Sequence, residues 1–228
     1  MMTTAILLAA GQSLRFKQNV TPKQFFRVKG KKLYQYSLET MLSNRHIHQV
    51  ILVVPERDLA QISDEVKRKK YKKDIVVISG GKTRQESSYL ALQYAHFHLK
   101  PDYVVIHDVA RPLVMNTLID YVCWEVKKHH AVTLGREVND SLFVKAEGEM
   151  LESYVSKGKM YLVQTPQAFV FSVIFEAHEY ARSLNIKTAI DDASLLRLKN
   201  QEVFVGPGSR LNFKIVTMDD LNVFKKLI

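Results

Sequence analysis

The sequence predicts an α/β fold in which a mostly parallel sheet is covered by helices on both faces, and three observations predict it. Short runs rich in Val and Ile alternate with segments of helical spacing. The runs are almost continuously apolar, as strands buried on both faces must be, and do not alternate inside and outside. The chain of 228 residues, 46% hydrophobic and 25% charged, carries enough apolar material for one sizeable core without disulfide or metal staples.

The first predicted strand covers residues 5–10 and leads into Gly11-Gln12-Ser13-Leu14-Arg15, small residues that let backbone amides approach phosphate oxygens. Tyr34, Leu38, Met41 and Leu42 share one helical face, and a strand follows over residues 50–54. An amphipathic segment closes on Lys67-Arg68-Lys69-Lys70-Tyr71-Lys72-Lys73, cations that suit a solvated helix end, before a strand at residues 75–78. Ser87, Ala91, Tyr94 and Ala95 mark the next helix and residues 103–106 the next strand. Leu118, Val122 and Val126 then mark a helix whose Cys123 and Trp124 read as core or interface, ahead of a strand at residues 131–134. Beyond residue 135 the rhythm changes: residues 140–144 and 150–155 read as a hairpin turning at Glu147-Gly148, too polar for the core. Val173, Ala177 and Ala181 restore helical spacing, residues 191–199 continue it, and strands at 203–205 and 213–215 precede a last helix from Met218. No linker rich in Pro, Gly or Ser and no repeat divides the chain. Residues 1–228 are therefore expected to form one domain, with an arm over residues 136–156.

The 33 basic residues outnumber the 23 acidic ones, and the formal net charge of +10 points to an anionic partner, with phosphate the first candidate. No helix-turn-helix, zinc-finger or paired-aromatic signature accompanies the basic cluster, so nucleic acid is not expected as a partner. Cys123 is the sole cysteine, which excludes an intrachain disulfide and a cysteine-based zinc cluster and suits a reducing compartment. The apolar runs are too short to span a bilayer, and no positively charged start leads into an apolar signal core. A cytoplasmic protein without a membrane partner is expected.

Chemistry is expected at the strand ends. The first strand end leads to Arg15 and then to Pro22-Lys23-Gln24. The dinucleotide pattern G-x-G-x-x-G is absent. Gly81-Lys82-Thr83 imitates the tail of a Walker-type loop, but Val76 stands where that loop needs its first glycine. Three further segments read as strand ends: Gly80-Gly81 before Arg84 and Ser87, the run from His107-Asp108 to Arg111-Pro112, and Gln164-Thr165-Pro166-Gln167. Each alone is an ordinary turn composition. In a parallel sheet the carboxyl ends share one edge, so Arg15, Gly81 and Asp108 are expected to line one crevice. Asp108 closes an apolar run, where a carboxylate needs a cation or hydrogen-bond partners.

These segments carry a resemblance. Ala9-Ala10-Gly11 through Arg15, Pro22-Lys23-Gln24, Gly80-Gly81-x-x-Arg84-x-x-Ser87, His107-Asp108-x-Ala110-Arg111-Pro112, Thr165-Pro166-Gln167, Asp191-Asp192-Ala193-Ser194 and Asn212-Phe213-Lys214 resemble, in order, the motifs of the 2-C-methyl-D-erythritol 4-phosphate cytidylyltransferase family. The ribitol-5-phosphate cytidylyltransferases are close relatives. The resemblance implies a Rossmann-like sheet with a protruding β-hairpin arm. It also implies cytidylyl transfer from CTP to a polyol phosphate with release of pyrophosphate, a magnesium ion, and a homodimer joined through the arm.

By the same resemblance, Arg15 and Lys23 neutralise charge at the reacting phosphorus. Ala9, Ala10, Gly11, Gly81, Ser87, Asp108 and Arg111 fall among nucleotide-binding positions, with Asp108 also supporting magnesium through water. Lys157, Lys214, Thr165 and Asp191 fall where the acceptor is positioned, Lys157 reaching the site of the other subunit. A phosphate monoester is largely dianionic near neutrality and needs no general base, so His107 is expected to pack or hydrogen-bond. The sequence departs from the family pattern at Ser13, where a second glycine is common, and at Lys157, where an arginine is usual. It departs again at Ile190, in place of a threonine, and at Asn139-Asp140-Ser141, in place of an Asp-Thr pair. The last three departures cluster on the acceptor side. Methylerythritol phosphate is the expected acceptor and ribitol 5-phosphate the alternative. Retention of Arg15, Lys23 and Asp108 speaks against a merely nucleotide-binding protein on the same fold.

Overall fold

A computed structural model describes residues 1–11 and 22–228; Ser13 and Arg15 lie outside the described residues, as does the side chain of Lys157. Strand β1 (Thr3–Leu8) is followed by the two-residue strands β2 (Arg27–Val28) and β3 (Lys31–Lys32), helix α1 (Leu33–Ser43) and β4 (Gln49–Val54). Then come α2 (Leu59–Lys69), β5 (Asp74–Ser79), α3 (Arg84–His98), β6 (Tyr103–Asp108), α4 (Asn116–His129) and β7 (Ala131–Glu137). A hairpin of β8 (Leu142–Lys145) and β9 (Leu151–Val155) precedes β10 (Tyr161–Val170), α5 (Phe171–Ser183), α6 (Asp192–Arg197), β11 (Phe204–Pro207) and α7 (Met218–Leu227).

Seven of the described strands form one sheet in the order β11-β7-β10-β6-β1-β4-β5. β6, β1, β4 and β5 run parallel, so their carboxyl ends share an edge. Side chains alternate across the sheet with a period of two, and the apolar runs therefore feed both faces. Leu7, Leu52 and Val105 pack with Tyr34, Leu38 and Met41 of α1 and Ile119, Val122 and Val126 of α4. Ile6, Ile51, Val104 and Ile106 pack on the other face with Ala91 and Leu92 of α3, Ile174 and Ala177 of α5, and Leu195 and Leu196 of α6. Full burial of each large apolar side chain contributes about 1.5–3 kcal/mol, which fixes register, because a one-residue slip would exchange the two faces. Thr83 caps α3 by accepting the Glu86 N–H at 3.1 Å and so starts that helix directly after the loop from β5.

The sheet is mostly parallel, as expected, with one strand, β10, inserted antiparallel between β6 and β7. The structure corrects two expectations. Gln164-Thr165-Pro166-Gln167 accordingly lies inside β10 and not at a strand end; Pro166 has no N–H to give, and the register with β7 shifts between Gln164 and Ala168. Residues 213–215 form no strand. Their backbone is held by the loop after β6, with the Ile215 N–H donating to the Ala110 carbonyl at 2.8 Å. The hairpin is present, with Gly148 in its turn at φ +76°, and it exposes Phe143 and Tyr154. Cys123 is buried in α4, which pushes its thiol up to about 12, whereas Trp124 is exposed.

Candidate active site

A crevice of about 360 Å³ lies at the carboxyl edge of the parallel strands. Eight of the residues singled out from sequence line it: Ala9, Ala10, Gly11, Lys23, Gly81, Ser87, Asp108 and Lys214. Thr165, Arg111 and Asp191 do not line it, and each is bonded to segments that do or that flank it.

The two loops at its base are fitted to one another. The Ala9 N–H donates to the Val53 carbonyl and the Gly80 N–H to the Val54 carbonyl, both at 2.8 Å. A Cβ on Gly80 would lie 2.4 Å from Ala10 Cβ and 2.9 Å from Ser87 Oγ, so only glycine lets the loops after β1 and β5 meet. Ser87 Oγ accepts the Gly81 N–H at 3.2 Å and donates to the Thr83 carbonyl at 2.9 Å, so the hydroxyl shapes its own loop. Lys23 Nζ donates to the Ile215 carbonyl at 2.7 Å, and Gln24 Nε2 to the Gly11 carbonyl at 3.0 Å. These two bonds tie the segment after residue 21 to the opposite wall and to the first loop.

Asp108 is the electrostatic centre. Its Oδ1 accepts from Arg84 Nε at 3.0 Å and its Oδ2 from Lys214 Nζ at 2.6 Å. Burial works against the charge, but Arg84 and Lys214 outweigh it and hold the carboxyl well below the usual range. Beneath Asp108, its own N–H donates to Thr165 Oγ1 at 3.1 Å, and Thr165 Oγ1 lies 3.0 Å from His107 Nδ1. His107 Nε2 sits 3.2 Å from the Arg111 carbonyl. The carbonyl requires the ring proton on Nε2, so Nδ1 accepts from the Thr165 hydroxyl. This neutral tautomer agrees with burial, which lowers His107 to about 4.

Arg84 also reaches away from the crevice, its Nη1 donating to Asp192 Oδ2 at 2.6 Å, while Asp192 Oδ1 faces His178 Nε2 at 3.1 Å. Both Asp192 and His178 are buried. Burial pushes the Asp192 carboxyl upward, yet Arg84 and the hydrogen bond from His178 keep it below its ordinary value. Its neighbour Asp191 is differently used: Oδ1 caps α6 on the Ser194 N–H at 2.8 Å, and Oδ2 accepts from Gln167 at 2.8 Å. Arg111 donates to the Asn212 carbonyl at 2.8 Å and the Val163 carbonyl at 3.1 Å, and Asn212 Nδ2 to the Thr165 carbonyl at 2.8 Å. Together they fasten the irregular segment that carries Lys214.

Arg84 and Asp192 stand within the sequence motifs, but no role was expected of either. A usable signal existed for Arg84: a carboxylate ending a buried strand demands a cation, and an arginine opening a neighbouring helix is in reach. Asp192 gave no comparable signal, since the position after an N-cap is commonly acidic. Among the described residues, no group of three or more His, Cys, Asp or Glu forms a metal cage. Asp108 is the one carboxylate among the described residues lining the crevice. A single carboxylate, both of whose oxygens already face cations, fits a magnesium ion held chiefly by substrate phosphates and water.

The 2-C-methyl-D-erythritol 4-phosphate cytidylyltransferase (IspD) family model matches residues 3–227. The chain is 34% identical over 220 residues to the 2-C-methyl-D-erythritol 4-phosphate cytidylyltransferase of Clostridium beijerinckii, covering 96% of this chain and 95% of that protein. The enzyme of the same name from Dictyoglomus thermophilum is 34% identical over 218 residues, 95% of this chain and 92% of that one. Among solved structures, the 2-C-methyl-D-erythritol 4-phosphate cytidylyltransferase of Thermus thermophilus superposes with a TM-score of 0.82 at 30% identity, covering 100% of this chain and 98% of that one. The Francisella tularensis protein superposes with a TM-score of 0.83 at 25% identity, with 100% of both chains covered.

Proposed function

The chain belongs to the 2-C-methyl-D-erythritol 4-phosphate cytidylyltransferase family, and from that premise we infer that it transfers the cytidylyl group of CTP to 2-C-methyl-D-erythritol 4-phosphate in isoprenoid precursor synthesis. The observation that carries the chemistry is the gathering of Lys23, Arg84 and Lys214 with Asp108 in one crevice at the sheet's carboxyl edge.

In this reading a phosphate oxygen of the acceptor attacks the α-phosphorus of CTP. The bond from that phosphorus to the bridging oxygen breaks, and pyrophosphate leaves with the electron pair. No general base is needed, so the protein's task is to bring two anions together and neutralise the charge that builds on the phosphorus and the leaving group. Lys23, with Arg15, is assigned to that charge. Lys214 holds the acceptor phosphate after exchanging its contact with Asp108 for one with substrate, and Lys157 assists from a second subunit. Thr165 and Asp191 act on the acceptor side through the segments they anchor. Backbone groups around Gly81 read cytosine, because the Ser87 hydroxyl is already engaged within its loop. Ala9, Ala10 and Gly11 border the triphosphate, and Arg111 supports the nucleotide side by bracing the loop after Asp108. Asp108 would hold magnesium through water, and the ion when bound supplies charge neutralisation across the phosphate oxygens.

The whole of residues 1–228 serves as one nucleotidyltransferase unit. The arm pairs it with a second copy, a reading supported by Phe143, Leu151 and Tyr154, which the hairpin leaves exposed. No helix of the described residues is long and apolar enough to cross a membrane, and a cytoplasmic location is the reading that suits a lone buried thiol. The test is release of pyrophosphate that requires both CTP and methylerythritol phosphate, with the diphosphocytidyl product identified by mass. Release that ignores the acceptor, or no release, rejects the assignment.

A further inference from the structure

A second cavity, of about 410 Å³, lies between α3 and the end of α5 and shares Lys82 and Thr83 with the crevice. Lys82, Arg182 and Lys187 line it, and none of the three has a carboxylate partner among the described residues. Among the described lining residues the one carboxylate is Glu86, which accepts the Lys82 backbone N–H at 2.7 Å. One carboxylate against three cations leaves an excess of positive charge.

The cavity is also organised. Tyr89 donates its hydroxyl to Glu179 at 2.6 Å, which fixes the ring, and the Arg182 guanidinium lies 4.2 Å from the ring centroid. Stacking of that kind pre-orients the planar fork and spares its N–H groups for an oxyanion. His178, wholly buried, lines the same cavity and stacks on Tyr89 at 6.3 Å. Its Nε2 proton goes to Asp192, while among the described residues its Nδ1 has no hydrogen-bond partner. That leaves a buried acceptor, costly unless a ligand hydroxyl, such as that of hydrogen phosphate or of a polyol phosphate, supplies the proton.

We propose that this cavity is a second ligand site that takes a small phosphate-bearing anion. Three unpaired cations suit a dianion better than a monocarboxylate, and the guanidinium fork matches two oxygens of one phosphate. Arg182, Lys187 and His178 do not line the crevice, so the site is separate from the one assigned to catalysis. An occupant would nevertheless touch the loop at Lys82 and Thr83 that borders the nucleotide.

The ligand is either free inorganic phosphate or a phosphate monoester, and the test separates them. The full chain, labelled with nitrogen-15 histidine, is titrated with inorganic phosphate and, separately, with glycerol 3-phosphate. The His178 imidazole signals are followed by NMR after assignment through their loss in His178→Gln. The expected result is a saturable shift of the His178 signals that persists in Lys23→Ala, a crevice variant. It should require at least tenfold more anion in Lys187→Glu, a change on an exposed loop that leaves the core untouched, and in Arg182→Ala. Tighter binding of glycerol 3-phosphate identifies a monoester, tighter binding of phosphate the free ion, and both support the site. No shift in the wild type, a shift abolished by Lys23→Ala, or one indifferent to Lys187→Glu and Arg182→Ala overturns it. None of these readings requires turnover, so failure here is distinct from failure of the catalytic assignment.

Discussion

At the scale of single residues, Asp108 keeps its charge at the buried end of β6 because Arg84 and Lys214 each take one of its oxygens. Arg84 is in turn shared with Asp192, so one guanidinium compensates two buried carboxylates. Arg84→Ala should leave one buried oxygen of each carboxylate unpaired, with Lys214 still on Asp108 and His178 still on Asp192, at a cost on the order of 3–5 kcal/mol measured by urea unfolding. Lys23→Ala, by contrast, removes charge stabilisation that matters most in the transition state; kcat should fall roughly 100- to 1000-fold with a smaller change in CTP affinity. Near-normal kcat in that variant would contradict the role given to Lys23. His107 carries a pH prediction. Its ordinary value of 6.5 is lowered by burial to about 4, so as pH falls the unfolded chain takes up the proton first. The stability that comes from keeping the ring neutral is full above pH 6.5 and lost progressively between pH 6.5 and about 4, on the order of 3 kcal/mol in all. His107→Gln should flatten the stability profile across that window, and an unchanged slope would count against the buried neutral ring. At this scale the sequence made Asp108 legible through its place after an apolar run. Asp192 was hidden because its partner, Arg84, is 108 residues away in the chain.

At the scale of elements, the parallel strands were legible because their apolar runs are nearly unbroken, and β10 was not, because Gln164, Thr165, Pro166 and Gln167 read as a turn. That strand is buried through this polar stretch since its side chains find partners: Gln167 donates to Thr133 at 2.7 Å and Gln164 to the Ser209 carbonyl at 2.8 Å. The segment at 213–215 misled in the opposite direction, its alternation of Phe213 and Ile215 serving to pack against Leu221 and Phe224 of α7 and Val28 of β2 without any strand pairing. Two predictions belong here. Gly80→Ala forces its Cβ against Ala10, so the loops must part, and KM for CTP should rise severalfold while unfolding shows only a modest loss. The same loop should favour CTP over UTP, since cytosine presents a donor where uracil presents an acceptor; equal kcat/KM for both would refute base reading there. The hairpin of β8 and β9 exposes too much apolar surface for an isolated two-stranded unit, and light scattering should show a dimer that is lost when residues 140–156 are replaced by a short loop. A monomer with full activity would contradict that association.

At the scale of the whole molecule, the sheet order brings the loops after β1, β5 and β6 to one edge, and the irregular return between β11 and α7 delivers Lys214 to the same place. Convergence of the strand-end loops was inferable from topology alone, because parallel strands fix which ends meet. The identity of the acceptor was less legible, since three of the four departures from the family pattern, at Lys157, Ile190 and the stretch from Asn139 to Ser141, fall on that side. The acceptor is therefore decided by measuring kcat/KM for 2-C-methyl-D-erythritol 4-phosphate and ribitol 5-phosphate side by side, under saturating CTP and magnesium, with Lys23→Ala as the control for the crevice. Methylerythritol phosphate should be clearly preferred and both activities lost in the control; a higher kcat/KM for ribitol 5-phosphate, or an undiminished control, would contradict the assignment.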